Sequence, residues 1–183
     1  MTDLDEIEQI AREADLIYSQ KEVEAALDTM AIKITAKLKD TNPLIISVLV
    51  GGIVATSELV TRLDFPLQLD YVHATRYQNG TRGGELNWIA HPSQPLRDRT
   101  VLVVDDILDE GHTLAAILEY CREQGAQAVY SAVLVEKVHA RKVSDVHADF
   151  IGLKVEDRYV FGYGMDYHGY HRNLKAIYAV RDL

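Results

Sequence analysis

Three runs of this chain are almost wholly apolar, and they constrain the fold more than any other feature. They are Leu44-Ile45-Ile46-Ser47-Val48-Leu49-Val50, Thr100-Val101-Leu102-Val103-Val104, and Ala128 to Val135. A half-exposed strand alternates apolar and polar residues, whereas an unbroken run suits a strand covered on both faces, as in a parallel sheet. Between the second and third runs, Thr113 to Gln124 has helical spacing and is closed by Gly125 at the C-cap position. Strand, helix and strand at these lengths predict a βαβ unit with a right-handed crossover. The expected class is therefore α/β, a mostly parallel twisted sheet flanked by helices. Ligands of such sheets bind at the carboxyl ends of the strands. That rule singles out Gly51-Gly52, Asp105 to Thr113, and the segment after Val135.

The rest of the chain reads as follows. Residues 1–40 are expected to be helical, with Ile7, Ile10, Ala14 and Ile17 on one stripe. Ser19 followed by Glu22 is a capping-box pattern for a second helix, whose apolar face continues through Val23, Leu27, Met30 and Ile34. Asn42-Pro43 breaks that pattern. Ile53 to Leu63 reads as helix, and the alternation of Leu67, Leu69, Tyr71 and His73 reads as strand. Ala74 to Glu85, rich in Arg, Gly, Thr and Asn, reads as a long loop, which in a compact domain marks function or disorder. Leu86 to Ala90 is a short strand, His91 to Arg99 a surface connection, and Asp105 to Gly111 a polar turn.

Composition limits the functions open to such a fold. A length of 183 residues suits one domain. With 19 Lys and Arg against 28 Asp and Glu, the formal charge is −9. That balance disfavours nucleic acid and anionic membranes as partners, but backbone amides and metal ions can still hold a small anion. Cys121 is the single cysteine, so an intramolecular disulfide and a cysteine-cluster metal site are excluded, and its helical spacing predicts a core thiol. The seven histidines show no zinc-like spacing. No apolar stretch approaches the roughly 20 residues of a membrane span and no signal peptide is visible, so the expected location is the cytoplasm.

The most informative stretch is Val103-Val104-Asp105-Asp106-Ile107-Leu108-Asp109-Glu110-Gly111-His112-Thr113. Two carboxylates leave a buried strand together and a third follows three residues after the second. Gly111 then lets the backbone turn into a helix. The amides of Glu110, Gly111, His112 and Thr113 would be donors at a helix N-terminus, where the dipole also favours an anion. Carboxylates beside a phosphate cradle call for a ligand anionic at one end and rich in hydroxyls or metal in the middle; a ribose 5-phosphate fits. Neither a P-loop nor a dinucleotide fingerprint occurs. The order of residues in this stretch resembles the phosphoribosyl-diphosphate motif of type I phosphoribosyltransferases. Many of those proteins carry Glu where this chain has Asp105, and Thr where it has Glu110, whose side chain is therefore expected to point outward while its amide contributes.

Three further segments resemble the hypoxanthine-guanine branch of that family. Leu49-Val50-Gly51-Gly52 resembles the diphosphate loop, which implies a non-proline cis peptide at Leu49–Val50 and diphosphate contacts from Val50, Gly51 and Gly52. Relatives often have Lys at the position of Val50. In Val135-Glu136-Lys137-Val138-His139-Ala140-Arg141, Lys137 matches the lysine that reads the purine 6-oxo group. An ammonium only donates, so it pairs with a carbonyl and opposes the 6-amino group of adenine. In Asp157 to Tyr167 the resemblance implies that Tyr159 stacks on the base, the Val160 backbone reads its edge, and Asp166 helps hold Mg2+. Phe161 and Tyr163 are read as packing residues. Arg172 matches a basic residue that contacts diphosphate, and Ala74 to Glu85 resembles a catalytic lid, with Arg76-Tyr77 where relatives of one kind have Ser-Tyr.

The resemblance implies transfer of a phosphoribosyl group from phosphoribosyl diphosphate to a 6-oxopurine. Asp109 would be the general base, Arg76 and Tyr77 would close over the site, and Asp105, Asp106 and Asp166 would be the residues around Mg2+. It implies a single domain over 1–183, with the diphosphate-sugar site in about 40–150 and a small hood from 1–39 and 151–183. A homodimer or homotetramer is implied as well. Lys137 argues against adenine, while xanthine stays open. A ligand-sensing regulator that kept the fold would want a basic face or an added DNA-binding helix, and the sequence offers neither.

Overall fold

The computed structural model describes residues 4–76, 86–142 and 146–181. The chain opens with α1 (Leu4–Glu13) and β1 (Asp15–Tyr18). Next comes α2 (Gln20–Leu38), started by the capping box: the Glu22 amide donates to the Ser19 hydroxyl at 3.4 Å, and the Ser19 amide donates to the Glu22 carboxylate at 2.8 Å. Two reciprocal bonds thus satisfy donors that a helix start leaves orphaned. The chain continues through β2 (Leu44–Leu49), α3 (Gly52–Val60), β3 (Gln68–Arg76) and β4 (Leu86–Ala90). After these come β5 (Thr100–Leu108), α4 (His112–Glu123), β6 (Ala128–Lys137) and β7 (Phe150–Val155). Two short strands, β8 (Val160–Phe161) and β9 (Ile177–Ala179), end the described fold.

Six strands form the main sheet in the order β4-β3-β2-β5-β6-β7. Only the β3–β4 pairing is antiparallel; the other four are parallel. Both faces are covered, which accounts for the unbroken apolar runs. Ile45, Leu102, Val104 and Leu134 face α2 and α3 and pack with Val23, Leu27 and Ile34. Ile46, Val101, Val103 and Val133 face the other way, toward Leu114, Ile117 and Cys121 of α4. Cys121 is a core thiol, and burial pushes its pKa up to about 11. A separate sheet, β1-β9-β8, joins residues from the two ends of the chain, and α1 packs against it through Ile7, with Phe161, Tyr167 and Val180. Among the described residues no helix is long and apolar enough to cross a membrane.

The structure corrects three sequence expectations. The helical stripe through Ile17 stops short: α1 ends at Glu13, and Ile17 lies in β1, paired antiparallel with β9. Ile7 belongs to the small cluster, whereas Ile17 packs against the main core. The strand at Leu67 to His73 continues to Arg76, because its end pairs with β4 (Ala74 with Trp88, Thr75 with Asn87). On it the apolar Leu69 and Tyr71 are exposed, while Asp70 and Val72 are buried. The buried Asp70 carboxylate is satisfied by the amides of Tyr71, Ser93 and Gln94. The polar turn expected at Asp105 to Gly111 is shorter than that, since β5 runs through both acids to Leu108 on its pairing with β6.

Candidate active site

The ends of β2 and β5 open on a cleft of about 490 Å³. Four parts of the chain line it: Val48, Leu49 and Gly51, from the end of β2 to the start of α3; Ala74 of β3; Asp105 to Leu114, running from β5 into α4; and Asp166 with Arg172 from the C-terminal segment. The fold thus brings the acidic stretch, one glycine of the Gly51-Gly52 pair and the distant Arg172 to one place. Glu110, Gly111, His112 and Thr113 all face this cleft. Gly111 is the N-cap of α4, with φ of +90°, a conformation that favours glycine. The first amides of α4 have no intrahelical partner by the geometry of a helix start, so this end of the cleft suits an anion.

Asp105 and Asp106 are the buried carboxylates of the cleft. Each is oriented by the next amide: Asp106 donates to Asp105 Oδ1 at 2.9 Å, and Ile107 donates to Asp106 Oδ1 at 2.8 Å. Burial pushes the Asp105 pKa well above the ordinary range, and the charge of Asp106 pushes it further. Burial also raises Asp106, against the opposing pull of its hydrogen bonds and of Arg172. Two buried like charges are a cost carried for the site. A carboxyl raised in the folded state lends stability below its unfolded pKa, near 3.8, and that stability is lost as pH rises through the folded value. Asp105→Asn should therefore melt higher than wild type at pH 7 in chelator, by about 2–4 °C per kcal/mol relieved. The gap should close as pH falls toward 4; melting curves across pH check it, and a variant less stable at pH 7 would contradict it.

Opposite the acids, Asp166 and Arg172 hold one another at 2.8 Å. Arg172 also donates to the Gly164 carbonyl at 2.6 Å, and Asp166 accepts from the Gly169 amide at 2.7 Å. The Leu49–Val50 peptide is cis, as the resemblance implied. Of the loop that follows, only Gly51 lines the cleft. Val50 is 46% exposed, and Gly52 packs against β5, where an added Cβ would lie 2.9 Å from the Val104 carbonyl oxygen.

A second cleft of about 230 Å³ adjoins the first, sharing Asp106, Ile107, Asp109 and Asp166 with it. Its remaining lining is Lys137, Tyr159, Val160 and Met165. Lys137 ends β6, and its Nζ donates to Asp109 Oδ2 at 2.9 Å. Tyr159 is 43% exposed, and its ring meets Tyr167 edge-on at 5.5 Å. Phe161 and Tyr163 are buried packing residues, as expected. Burial raises the Asp109 pKa, but hydrogen bonds from Lys137 and His139 outweigh it and leave the group below its ordinary value. Arg76 is the last residue of β3, and Tyr77 lies outside the described residues. His139 was given no role by sequence reasoning. No local pattern marks it, because His139 lies in the bend past the end of β6, where strand alternation no longer applies.

Comparison with known proteins gives the family. Residues 13–168 match the phosphoribosyl transferase domain family. A hypoxanthine-guanine phosphoribosyltransferase of Bacillus subtilis is 32% identical over 163 residues, covering 88% of this chain and 90% of the relative. A hypoxanthine-guanine-xanthine phosphoribosyltransferase of Tritrichomonas foetus is 30% identical over 98% of this chain and 94% of its own length. A solved hypoxanthine-guanine-xanthine phosphoribosyltransferase superposes with a TM-score of 0.84 at 30% identity, covering 92% of this chain and 97% of that one. A hypoxanthine phosphoribosyltransferase from Staphylococcus aureus gives 0.86 at 26% identity, covering 91% of each chain. The mostly parallel sheet, with the cleft at the carboxyl ends of its strands, has the fold of the type I phosphoribosyltransferases. This chain belongs to the phosphoribosyltransferase family.

Proposed function

We propose that this enzyme transfers the 5-phosphoribosyl group of phosphoribosyl diphosphate to N9 of hypoxanthine or guanine, giving IMP or GMP and diphosphate in purine salvage. The observation that carries this reading is the pair of adjoining clefts that meet at Asp109. One offers carboxylates and helix-start amides to a sugar phosphate. The other offers Lys137 and Tyr159 to a planar base with a carbonyl.

In this reading the 5-phosphate sits on the amides of Glu110, Gly111, His112 and Thr113, and Asp105 and Asp106 take the ribose hydroxyls. As the C1–oxygen bond breaks, negative charge grows on the diphosphate, where Arg172 and the Gly51 amide stabilise it. N9 bonds to C1, and the proton on N7 passes to Asp109. The low pKa of Asp109 keeps it ionised and ready to accept. Tyr159 supplies an aromatic face to the base. Val160 lines the same cleft and borders the base edge. Lys137 exchanges its bond to Asp109 for one to the 6-oxo group, which makes Asp109 more basic as the purine arrives. Val50 and Gly52 shape the diphosphate loop from behind.

The donor set also fits Mg2+. Asp105 and Asp106 are buried carboxylates, the oxygen donors a hard divalent cation prefers, and burial outweighs the partial compensation that Arg172 gives Asp106. They would hold it through the ribose side, with Asp166 across the cleft. Bound there, the ion would supply charge neutralisation to the leaving diphosphate.

The test is incubation with phosphoribosyl diphosphate, Mg2+ and each purine, read by nucleotide formation. Hypoxanthine and guanine should give nucleotide and adenine should not. Product from adenine alone, or from no purine, would overturn the reading. Product from xanthine in addition would widen the substrate set to match the Tritrichomonas foetus relative.

A further inference from the structure

Asp109 has a partner that the proposed chemistry leaves unused. His139 presents Nε2 at 2.7 Å from Asp109 Oδ1, and its side chain is only 5% exposed. The Arg141 amide donates to the other ring nitrogen, Nδ1, at 3.1 Å. A nitrogen that accepts carries a lone pair, so the proton of the neutral ring sits on Nε2 and is donated to the carboxylate. Arg141 is itself pinned, since its guanidinium reaches both oxygens of Asp157 at 2.7 and 2.6 Å.

One carboxylate therefore has two unlike donors. Lys137, on a long side chain, holds Oδ2, and His139, tied to the main chain through its far nitrogen, holds Oδ1. Asp109, His139 and Asp157 bring ligand atoms within 4.8 Å of one another. Yet Lys137 already neutralises one carboxylate and Arg141 the other, so this cluster is an ion-pair network and not a metal site.

We propose that His139 is a positioning residue for Asp109. It fixes Oδ1 while Lys137 turns to the purine, so that Oδ2, the oxygen Lys137 releases, is the atom that receives the N7 proton. His139 keeps its own proton throughout. This rests on the transfer reaction and on the Lys137 contact proposed above.

The test is single-turnover nucleotide formation from phosphoribosyl diphosphate, Mg2+ and hypoxanthine, with histidine 15N spectra of the wild-type protein. Misplacing a reacting group by an ångström slows chemistry roughly 10- to 100-fold, and His139→Ala should fall in that range with KM for the sugar donor within about twofold of wild type. His139→Gln, which keeps an N–H near the Nε2 position, should recover to within about threefold of wild type, a rescue that a space-filling role would not give. The spectra should show the Nε2–H form. An Ala variant as fast as wild type, a Gln variant no better than Ala, or the Nδ1–H form would each overturn the assignment of His139 alone. Wild-type protein that forms no nucleotide would overturn the transfer reading, and this one with it.

Discussion

Replacing Asp109 with Asn should lower turnover by about 10²- to 10⁴-fold, the usual contribution of a well-placed general base. The substitution keeps the size of the side chain and its place after β5. It removes the negative charge that pairs with Lys137 and, with it, the ability to take a proton. Asp109 lies where the two clefts meet, whereas the proposed reading gives the sugar hydroxyls to Asp105 and Asp106. Affinity for phosphoribosyl diphosphate should therefore stay within about threefold of wild type while the rate collapses, the pattern of an interaction made in the transition state. Steady-state kinetics with hypoxanthine, alongside calorimetry with the sugar donor, separates the two effects. Wild-type turnover in Asp109→Asn would remove Asp109 from the mechanism.

The second large effect is expected at Gly164, far from Asp109 in sequence. Gly164 has φ of +103°, and a Cβ there would lie 2.2 Å from the carbonyl oxygen of Gly51 and 3.5 Å from Cβ of Val54. Gly164→Ala therefore combines a disfavoured backbone conformation with a clash against main chain, each worth about 1–3 kcal/mol. The melting temperature should fall by roughly 4–24 °C for a loss of about 2–6 kcal/mol. Because Gly51 lines the cleft, binding of the sugar donor should weaken too. Gly169→Ala is the control. Its φ of +87° is also strained, but nothing lies within 4 Å of the added Cβ, so it should lose stability modestly and leave binding unchanged. Equal binding by wild type and Gly164→Ala would mean that this contact does not set the shape of the diphosphate loop.

Much of the fold was legible in the sequence where local pattern and final environment coincide. β2, β5 and β6 are buried on both faces, so their runs are apolar at nearly every position. The Ser19–Glu22 box marks a helix start because its two bonds span only three residues. What escaped was decided by partners far along the chain. β1 is a strand because β9, some 160 residues later, pairs with it, while the spacing of Ile17 from Ile10 happens to suit a helix. β3 reaches Arg76 only because β4 folds back on it. β7, β8 and β9 went unread, being short or mixed in pattern, and β9 pairs with the displaced β1 on one side and β8 on the other.

The site divides along the same line. Asp105 to Thr113 is contiguous, and its order of acids, glycine and helix start carries its chemistry on its face. The convergence of Gly51, Lys137, Asp166 and Arg172 on that stretch follows from the sheet order and could enter the sequence reading only through family resemblance. The bond between His139 and Asp109 is a fact of three dimensions, joining residues 30 apart across two strand ends.

The proposed grip of the β5–α4 loop on an activated sugar is most directly tested by titration calorimetry with phosphoribosyl diphosphate and Mg2+, before any purine is added. The structure predicts saturable binding at one site per chain, lost when Thr113 and the neighbouring amides are disrupted by Gly111→Val. Heat no greater than dilution, from folded wild-type protein, would contradict it.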